Sequence, residues 1–162
     1  MTLNTEIKVI KSRLRAMFAP IITTIVLVLI LLTNWFDQPV LGLTKSNYAI
    51  LIIAAYVIFI VYNSLKNNFY IFLSTEKNKL TIRYYSLSLF NNSKKSIEIP
   101  LETLHNFKIE TKRGGLLKLL TVYQKTNKGV AKYPPISISI LDKEELQLVS
   151  NTLKKFSKNY GK

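Results

Sequence analysis

The side chains that carry most enzyme chemistry are scarce in this sequence. It has one histidine, His105, and no cysteine, so it lacks both thiol chemistry and the ligand set of a typical zinc site. His105 shares strand parity with Phe107 and Ile109, which favours a partly buried structural histidine over a catalytic one. No nucleophile elbow, phosphate-binding loop or dinucleotide-binding loop is present. We therefore expect no catalytic residue, no metal site and no cofactor, and we predict a non-enzymatic protein.

Basic residues are the remaining chemical signal. The chain has 23 Lys or Arg against 9 Asp or Glu, a formal net charge of +14. They are not interleaved with aromatic residues as in a stacking platform, which argues against nucleic acid as a partner. Basic pairs recur along the second half of the chain. Those that we select as candidates for binding a lipid headgroup or a protein partner are Lys77, Lys79, Lys94, Lys95, Lys112 and Arg113.

Apolar and basic residues are separated along the chain. Residues 16–33 and 46–65 contain no charge, whereas residues 66–162 carry 18 Lys or Arg against 7 Asp or Glu. A helix needs about 20 residues to cross about 30 Å of hydrocarbon. Eleven residues of the first run are Leu, Ile, Val or Phe, which favours insertion by up to about 3 to 6 kcal/mol. The pattern predicts transmembrane helices at residues 16–36 and 46–65, joined by an external loop at residues 37–45.

A cleaved signal peptide is the alternative for the first run. The run has a basic start, but it is long, and no small-x-small cleavage site follows it between Asn34 and Pro39. We therefore favour a membrane helix, with Pro20 in its first turn, where a missing amide donor matters least. Neither run contains Asp, Glu, Lys, Arg or His, the side chains that a channel or coupled transporter usually keeps at depth to handle ions or protons. The two helices are predicted to be an anchor or a surface for partner helices.

The flanking charges predict the orientation of the two helices. Four Lys or Arg precede the first run and Lys66 follows the second, whereas the loop holds one Lys and one Asp. The positive-inside rule places both termini in the cytoplasm. The N-terminal arm, residues 1–15, begins an apolar stripe at three- and four-residue steps. This stripe fits either an amphipathic helix on the inner leaflet or an extension of the first membrane helix; its members are Leu3, Ile7, Ile10, Leu14 and Met17.

Residues 66–162 show the period of two that is typical of β-strands. Apolar residues alternate with polar ones in about seven short runs, and turn signals such as Glu76-Lys77-Asn78, Asn91-Asn92-Ser93 and Gly114-Gly115 separate them. The sequence then changes to a helical period after Asp142-x-x-Glu145, a capping-box pattern. We predict an all-β sandwich or barrel that is capped by a C-terminal amphipathic helix.

The stretch KKSIEIPLETLHNF, residues 94–107, and the stretch RGGLLKLL, residues 113–120, resemble bacterial pleckstrin-homology (PH)-like domains. The usual Gly after the second stretch is absent, and Thr121 stands there. The resemblance implies a sandwich of seven strands with a C-terminal helix, preceded by two membrane helices, and a membrane-tethered, non-catalytic role. It also implies that Lys77 and Lys79 lie in the hairpin where lipid-binding PH domains carry their cations.

These features together predict a non-enzymatic accessory or scaffold protein of the bacterial inner membrane. Its cytoplasmic PH-like domain, residues 66–162, would bind a protein partner through an exposed strand edge or a groove beside the helix. The alternative is a module that responds to anionic lipid headgroups. A third interpretation is that the basic residues only hold the domain against its own membrane. Each Lys or Arg near an anionic leaflet contributes about 1 kcal/mol to such binding.

Overall fold

A computed structural model describes residues 1–34, 42–66, 68–87 and 94–157. The chain divides into two compact units, each considered by itself. One unit, the helical unit, is Ile10–Ser64. The other, the β unit, combines Met1–Val9 with Leu65–Lys162. The predicted end of the first membrane helix, residues 35 and 36, lies outside the described residues, as do residues 37–41 of the loop and the turn at residues 91–93.

Two long helices carry the apolar runs. Helix α1 is Glu6–Leu32 and helix α2 is Lys45–Lys66. Their 27 and 22 residues correspond to about 40 and 33 Å at about 1.5 Å per residue, enough to cross a membrane. By length and composition, both could span a bilayer. The apolar side chains of α2 are not buried against other parts of the protein, as expected for a helix whose surroundings are lipid.

Polar side chains within the helices bond to the helix backbone. The hydroxyl of Thr23 donates to the carbonyl of Ala19 at 2.8 Å, and the amide of Asn63 donates to the carbonyl of Phe59 at 3.0 Å. Such bonds satisfy polar groups where water is absent. Because α1 begins at Glu6, Pro20 lies in its middle rather than in its first turn, and the carbonyl of Ala16 loses its usual helical donor.

The N-terminal arm is divided between a strand and the start of α1. Strand β1, Thr2–Asn4, buries Leu3 in the core of the β unit, and α1 then runs from Glu6 without interruption. The side chain of Asn4 accepts a hydrogen bond at 3.0 Å from the main-chain nitrogen of Glu6, one of the unpaired donors of the first turn. Leu3 therefore belongs to a strand, whereas Ile7 and Ile10 of the apolar stripe lie on the helix with exposed side chains.

The first sheet has the antiparallel order β1-β2-β3-β4. Strand β2 is Phe69–Ser74, β3 is Lys79–Ser86 and β4 is Lys95–Pro100. The predicted turn after β2 is present, with Lys77 and Asn78 both at positive φ, the geometry of a tight two-residue hairpin. Because side chains alternate across the sheet, Leu80 and Ile82 are buried on its inner face, while Thr81 and Arg83 lie on its outer face.

The second sheet has the order β5-β6-β7, with β8 also paired to β6. Its strands are β5 (Leu104–Lys112), β6 (Leu117–Thr126), β7 (Gly129–Lys132) and β8 (Ile136–Ser137). The register shifts between Leu104 and Asn106, so His105 occupies a β-bulge, where it is half-buried. The predicted hairpin at Gly114-Gly115 is confirmed, and both glycines have positive φ.

Helix α3, Lys143–Phe156, completes the core. The predicted capping box is confirmed: the main-chain nitrogen of Glu145 donates to Asp142 at 2.9 Å, and that of Asp142 donates to Glu145 at 3.1 Å. Val149 and Leu153 are buried in one cluster with residues from both sheets. The β unit is therefore a small antiparallel β domain with a C-terminal helix. Its two sheets do not close into a barrel, and its described strands number eight because β1 joins the first sheet.

Candidate binding surface on the first sheet

The outer face of the first sheet brings together aromatic and cationic side chains. Burial of the inner face against the core forces the alternate residues outward, and cross-strand register then sets their neighbours. In this way Tyr70 faces Tyr85, and Phe72 faces Arg83. Arg83 in turn faces Ser96 on β4.

A stacked pair of tyrosines forms one wall of this face. The ring centroids of Tyr70 and Tyr85 are 4.6 Å apart, with 20° between the ring planes. Burial raises the pKa of Tyr70, and the neighbouring Tyr85 adds to the effect. Both rings are half-buried, so they offer an apolar surface with phenol hydroxyls at its margin.

Arg83 lies between the tyrosine pair and the turn after β2. Its Cζ atom is 5.9 Å from the centroid of the Phe72 ring, within range of a cation–π interaction. The side chain is exposed and no salt bridge holds it within the described part of the chain. Its guanidinium is therefore positioned by an aromatic ring while its charge stays available to an anionic group.

Two depressions lie on either side of Arg83. The first, named here the tyrosine cavity, has a volume of about 380 Å³. Its lining carries three cations and one acid among the described residues; the lining residues are Glu6, Tyr70, Arg83, Tyr84, Tyr85, Lys94, Lys95 and Ser96. Lys94 and Lys95 are both exposed, and neither makes an ion pair within the described residues.

The second depression, named here the turn cavity, has a volume of about 400 Å³. Lys77, Lys79 and Arg83 line it, but so do Glu76 and Glu98. These two acids offset much of the positive charge, so the turn cavity is the weaker electrostatic site for an anion.

The six candidate residues fall into three places. Lys94 and Lys95 line the tyrosine cavity, whereas Lys77 and Lys79 line the turn cavity. Lys112 and Arg113 line neither cavity; they lie at the turn between β5 and β6 in the second sheet.

Both residues of the third pair have local partners. Arg113 donates a hydrogen bond at 3.1 Å to the carbonyl of Leu65, one of the terminal carbonyls of α2 that lack a helical donor. Lys112 lies 3.6 Å from Glu110. A hydrogen bond from Lys108 and the charge of that residue hold the pKa of Glu110 below its usual value, and Lys112 adds to the effect. These contacts give the third pair a structural explanation.

The sequence prediction missed four aromatic and arginine residues of the outer face: Tyr70, Phe72, Arg83 and Tyr85. Their strand parity, opposite to that of the buried Ile71, Ile82 and Tyr84, was the signal that could have identified them. Their proximity depends on the pairing of β2 with β3, which alternation within one strand does not reveal.

The chemistry available to this surface is that of recognition. Guanidinium and ammonium groups bind carboxylates or phosphates, and the tyrosine rings pack against aliphatic or planar groups. Within residues 1–34, 42–66, 68–87 and 94–157, no group of three or more His, Cys, Asp or Glu could hold a metal ion. No protein-family model, curated protein or solved structure matches this chain.

Proposed function

We propose that this chain is a non-enzymatic accessory or scaffold protein of the bacterial inner membrane, and that its cytoplasmic domain binds a protein partner at the membrane surface. The observation that carries the proposal is the outer face of the first sheet. There, Arg83 lies beside a half-buried tyrosine pair, and Lys94 and Lys95 line the same cavity at the start of β4. No described acid forms a salt bridge with these three cations. An exposed arginine beside accessible tyrosine rings is typical of protein-binding surfaces, where Tyr and Arg are enriched.

The order of the strands supports a PH-like domain. Strands β2 to β8 supply seven strands in two antiparallel sheets, and α3 follows them. That order agrees with the PH-like arrangement implied by residues 94–107 and 113–120. If β2 to β8 form a PH-like domain, β1 is an additional edge strand that comes from residues before the proposed membrane helices.

Strand pairing also supports a two-pass anchor. Asn4 at the end of β1 pairs with Phe72 in β2, and both helices lie between them in sequence. Two strands of one sheet share one side of the membrane, so the intervening chain crosses an even number of times. The basic residues before the first apolar run and after the second favour the cytoplasmic side.

Site-specific photo-crosslinking in the native host tests the proposal. A photoreactive phenylalanine analogue at Ser96, which is exposed beside the tyrosine cavity, should crosslink to one discrete protein. The same analogue at Thr111, exposed on β5 in the second sheet, is the matched control. Absence of any product at Ser96, or identical products at the two positions, would contradict the proposed function.

The turn cavity favours a second candidate function, which is response to anionic lipids. Lys77, Lys79 and Arg83 line it, and the first two occupy the hairpin that carries headgroup-binding cations in lipid-binding PH domains. The chain has no cysteine, so a fluorophore on Lys128→Cys can report on domain mobility in nanodiscs. Phosphatidylglycerol should slow the rotation of the fluorophore relative to phosphatidylcholine, and Lys77→Glu with Lys79→Glu should abolish the difference. Equal rotation in the two lipids would reject this function.

A further inference from the structure

The tyrosine cavity adjoins an open edge of the first sheet. Among the described strands of this sheet, β4 pairs with β3 alone, so its opposite edge has main-chain groups without a strand partner. Lys95 and Ser96, the first residues of β4, also line the cavity. A ligand that reaches the cavity is therefore beside hydrogen-bonding groups of an edge strand.

We propose, on the basis of the protein-binding function above, that the tyrosine cavity and the open edge of β4 together bind an extended acidic segment of the partner protein. The segment adds to the sheet as a strand next to β4. Its carboxylates reach the guanidinium of Arg83 and the ammonium groups of Lys94 and Lys95.

The charge of the cavity selects an acidic ligand. Three cations face one described acid, Glu6, and the amide of Asn4 already lies 3.4 Å from the Glu6 carboxylate as a hydrogen-bond donor. Charge-assisted hydrogen bonds from Arg and Lys to carboxylates are about twice as strong as neutral ones. A basic segment would instead meet three uncompensated like charges.

The strand edge selects a peptide over a lipid headgroup. An added strand uses the unpaired N–H and C=O groups of β4, and a headgroup has no repeating donors and acceptors to match them. Alternation also defines the segment, because every second side chain of an added strand lies on the outer face with Ser96 and Glu98. The carboxylates therefore occur at alternate positions with β-branched residues between them, and those nearest the start of β4 meet the cations of the tyrosine cavity.

Fluorescence anisotropy with a synthetic peptide tests the proposal on the full chain in neutral detergent. The probe is a fluorescein-labelled peptide of sequence Glu-Val-Glu-Thr-Glu-Val-Glu. It should bind saturably, and either Arg83→Gln or Lys95→Gln should weaken binding about tenfold, the change expected for one lost charge-assisted contact. Both side chains are exposed, so the substitutions leave the core intact, and an unchanged melting temperature verifies this. The matched control is Lys128→Glu in the turn between β6 and β7, which should leave affinity unchanged.

Two altered peptides separate strand addition from general charge attraction. A peptide of the same composition with its glutamates grouped together, and a peptide methylated at alternate main-chain nitrogens, should each bind about tenfold more weakly. Equal binding of all three peptides, or equal weakening by Lys128→Glu, would overturn the proposal, and so would no binding at all. If Ser96 crosslinks to a partner while no acidic peptide binds, the proposed function stands and the acidic segment is wrong.

A measurement in lipid nanodiscs tests the alternative that the surface binds anionic lipid headgroups instead of an acidic peptide. An environment-sensitive fluorophore on Ser96→Cys should give the same emission in nanodiscs of phosphatidylcholine and of phosphatidylglycerol. A blue shift in phosphatidylglycerol alone, reversed by Lys95→Glu, would assign the surface to lipid and overturn the proposal.

Discussion

The hydroxyl of Thr5 makes two hydrogen bonds to the backbone of Ile71. It donates to the carbonyl of Ile71 at 3.0 Å and accepts from the nitrogen of Ile71 at 2.9 Å. The carbonyl of Ile71 also accepts from the main-chain nitrogen of Thr5 at 3.1 Å, so it keeps a donor if the hydroxyl is lost. Among the described residues, the nitrogen of Ile71 has no such second partner, and because Thr5 is 1% exposed, water cannot replace the hydroxyl there. Thr5 therefore joins the junction of β1 and α1 to β2.

Replacement of Thr5 by valine should destabilise the β unit. Thr5→Val keeps the shape of the side chain but leaves the buried nitrogen of Ile71 without an acceptor, which costs about 1 to 3 kcal/mol in the free energy of unfolding. Chemical unfolding in detergent measures the cost, and hydrogen exchange at Ile71 locates it. Thr2→Val is the matched control, because the Thr2 hydroxyl bonds to Glu76 on the exposed surface and its loss should cost no more than about 0.5 kcal/mol. Equal costs for the two variants would contradict the role assigned to Thr5.

At the scale of elements, local patterns predicted most of the strands and α3 but neither β1 nor β7. All four residues of β7 are exposed, so this strand has no apolar alternation to be recognised. Alternation gave the inner faces of β3 and β4, and the capping-box residues gave the start of α3. Leu3 also fits a helical stripe, however. Its partner in the sheet is Leu73 in β2, and both apolar runs lie between the two residues in sequence. A three-residue strand has too few residues for its own period to be recognised, so only pairing at long range identifies it.

The candidate site shows the same limit. Lys94 and Lys95 were predicted because adjacent lysines are visible in the sequence. Arg83 and Tyr85 were not predicted, because their place beside the tyrosine cavity depends on the register of β3 with its neighbouring strands. Arg113 was a candidate by type alone, and its bond to the carbonyl of Leu65 depends on a tertiary contact.

The stabilisation that Asp142 provides at the start of α3 should be lost in acid. A hydrogen bond from the main-chain nitrogen of Glu145, followed by one from Lys8 at 2.7 Å, lowers the pKa of Asp142 below its usual value. Because the folded-state pKa is the lower one, the stabilisation is present above the unfolded pKa of about 3.9 and is lost as pH falls through the folded value. Asp142→Ala should therefore lower the melting temperature at pH 7, and the difference from the parent protein should narrow below about pH 4.

Two control variants separate the charge of Asp142 from its capping oxygen. Asp142→Asn keeps an acceptor for the nitrogen of Glu145 but removes one of the two carboxylates that pair with Lys8, the other being that of Glu145. Its melting temperature at pH 7 should therefore lie between those of the parent protein and Asp142→Ala. Glu144→Gln removes an exposed acid from the same turn and should show no comparable change with pH. A deficit of Asp142→Ala that stays constant from pH 7 to pH 3 would contradict the assigned titration.

At the scale of the whole molecule, the helical unit is an insertion between two strands of one sheet. The β unit takes Met1–Val9 from β1 and the start of α1, and takes the rest from Leu65 onward, at the end of α2. Leu3 of β1 is buried in the shared core. Residues 66–162 alone therefore lack one edge strand and the hydroxyl of Thr5. Experiments on this domain need the full chain, because removal of residues 1–9 exposes the edge of β2 and part of the core.

The insertion makes a prediction about topology that does not depend on counting charges. Single cysteines can be introduced at exposed positions of a chain that has none: Thr2→Cys before α1, Thr44→Cys before α2 and Lys128→Cys in the turn between β6 and β7. A membrane-impermeant maleimide added to spheroplasts should label Thr44→Cys at once, and the other two only after permeabilisation. The result that the fold itself requires is that Thr2→Cys and Lys128→Cys always label together, because β1 pairs with β2 in the same unit. Labelling of both from outside would reverse the proposed orientation and keep the fold, whereas labelling from opposite sides would contradict the pairing of β1 with β2.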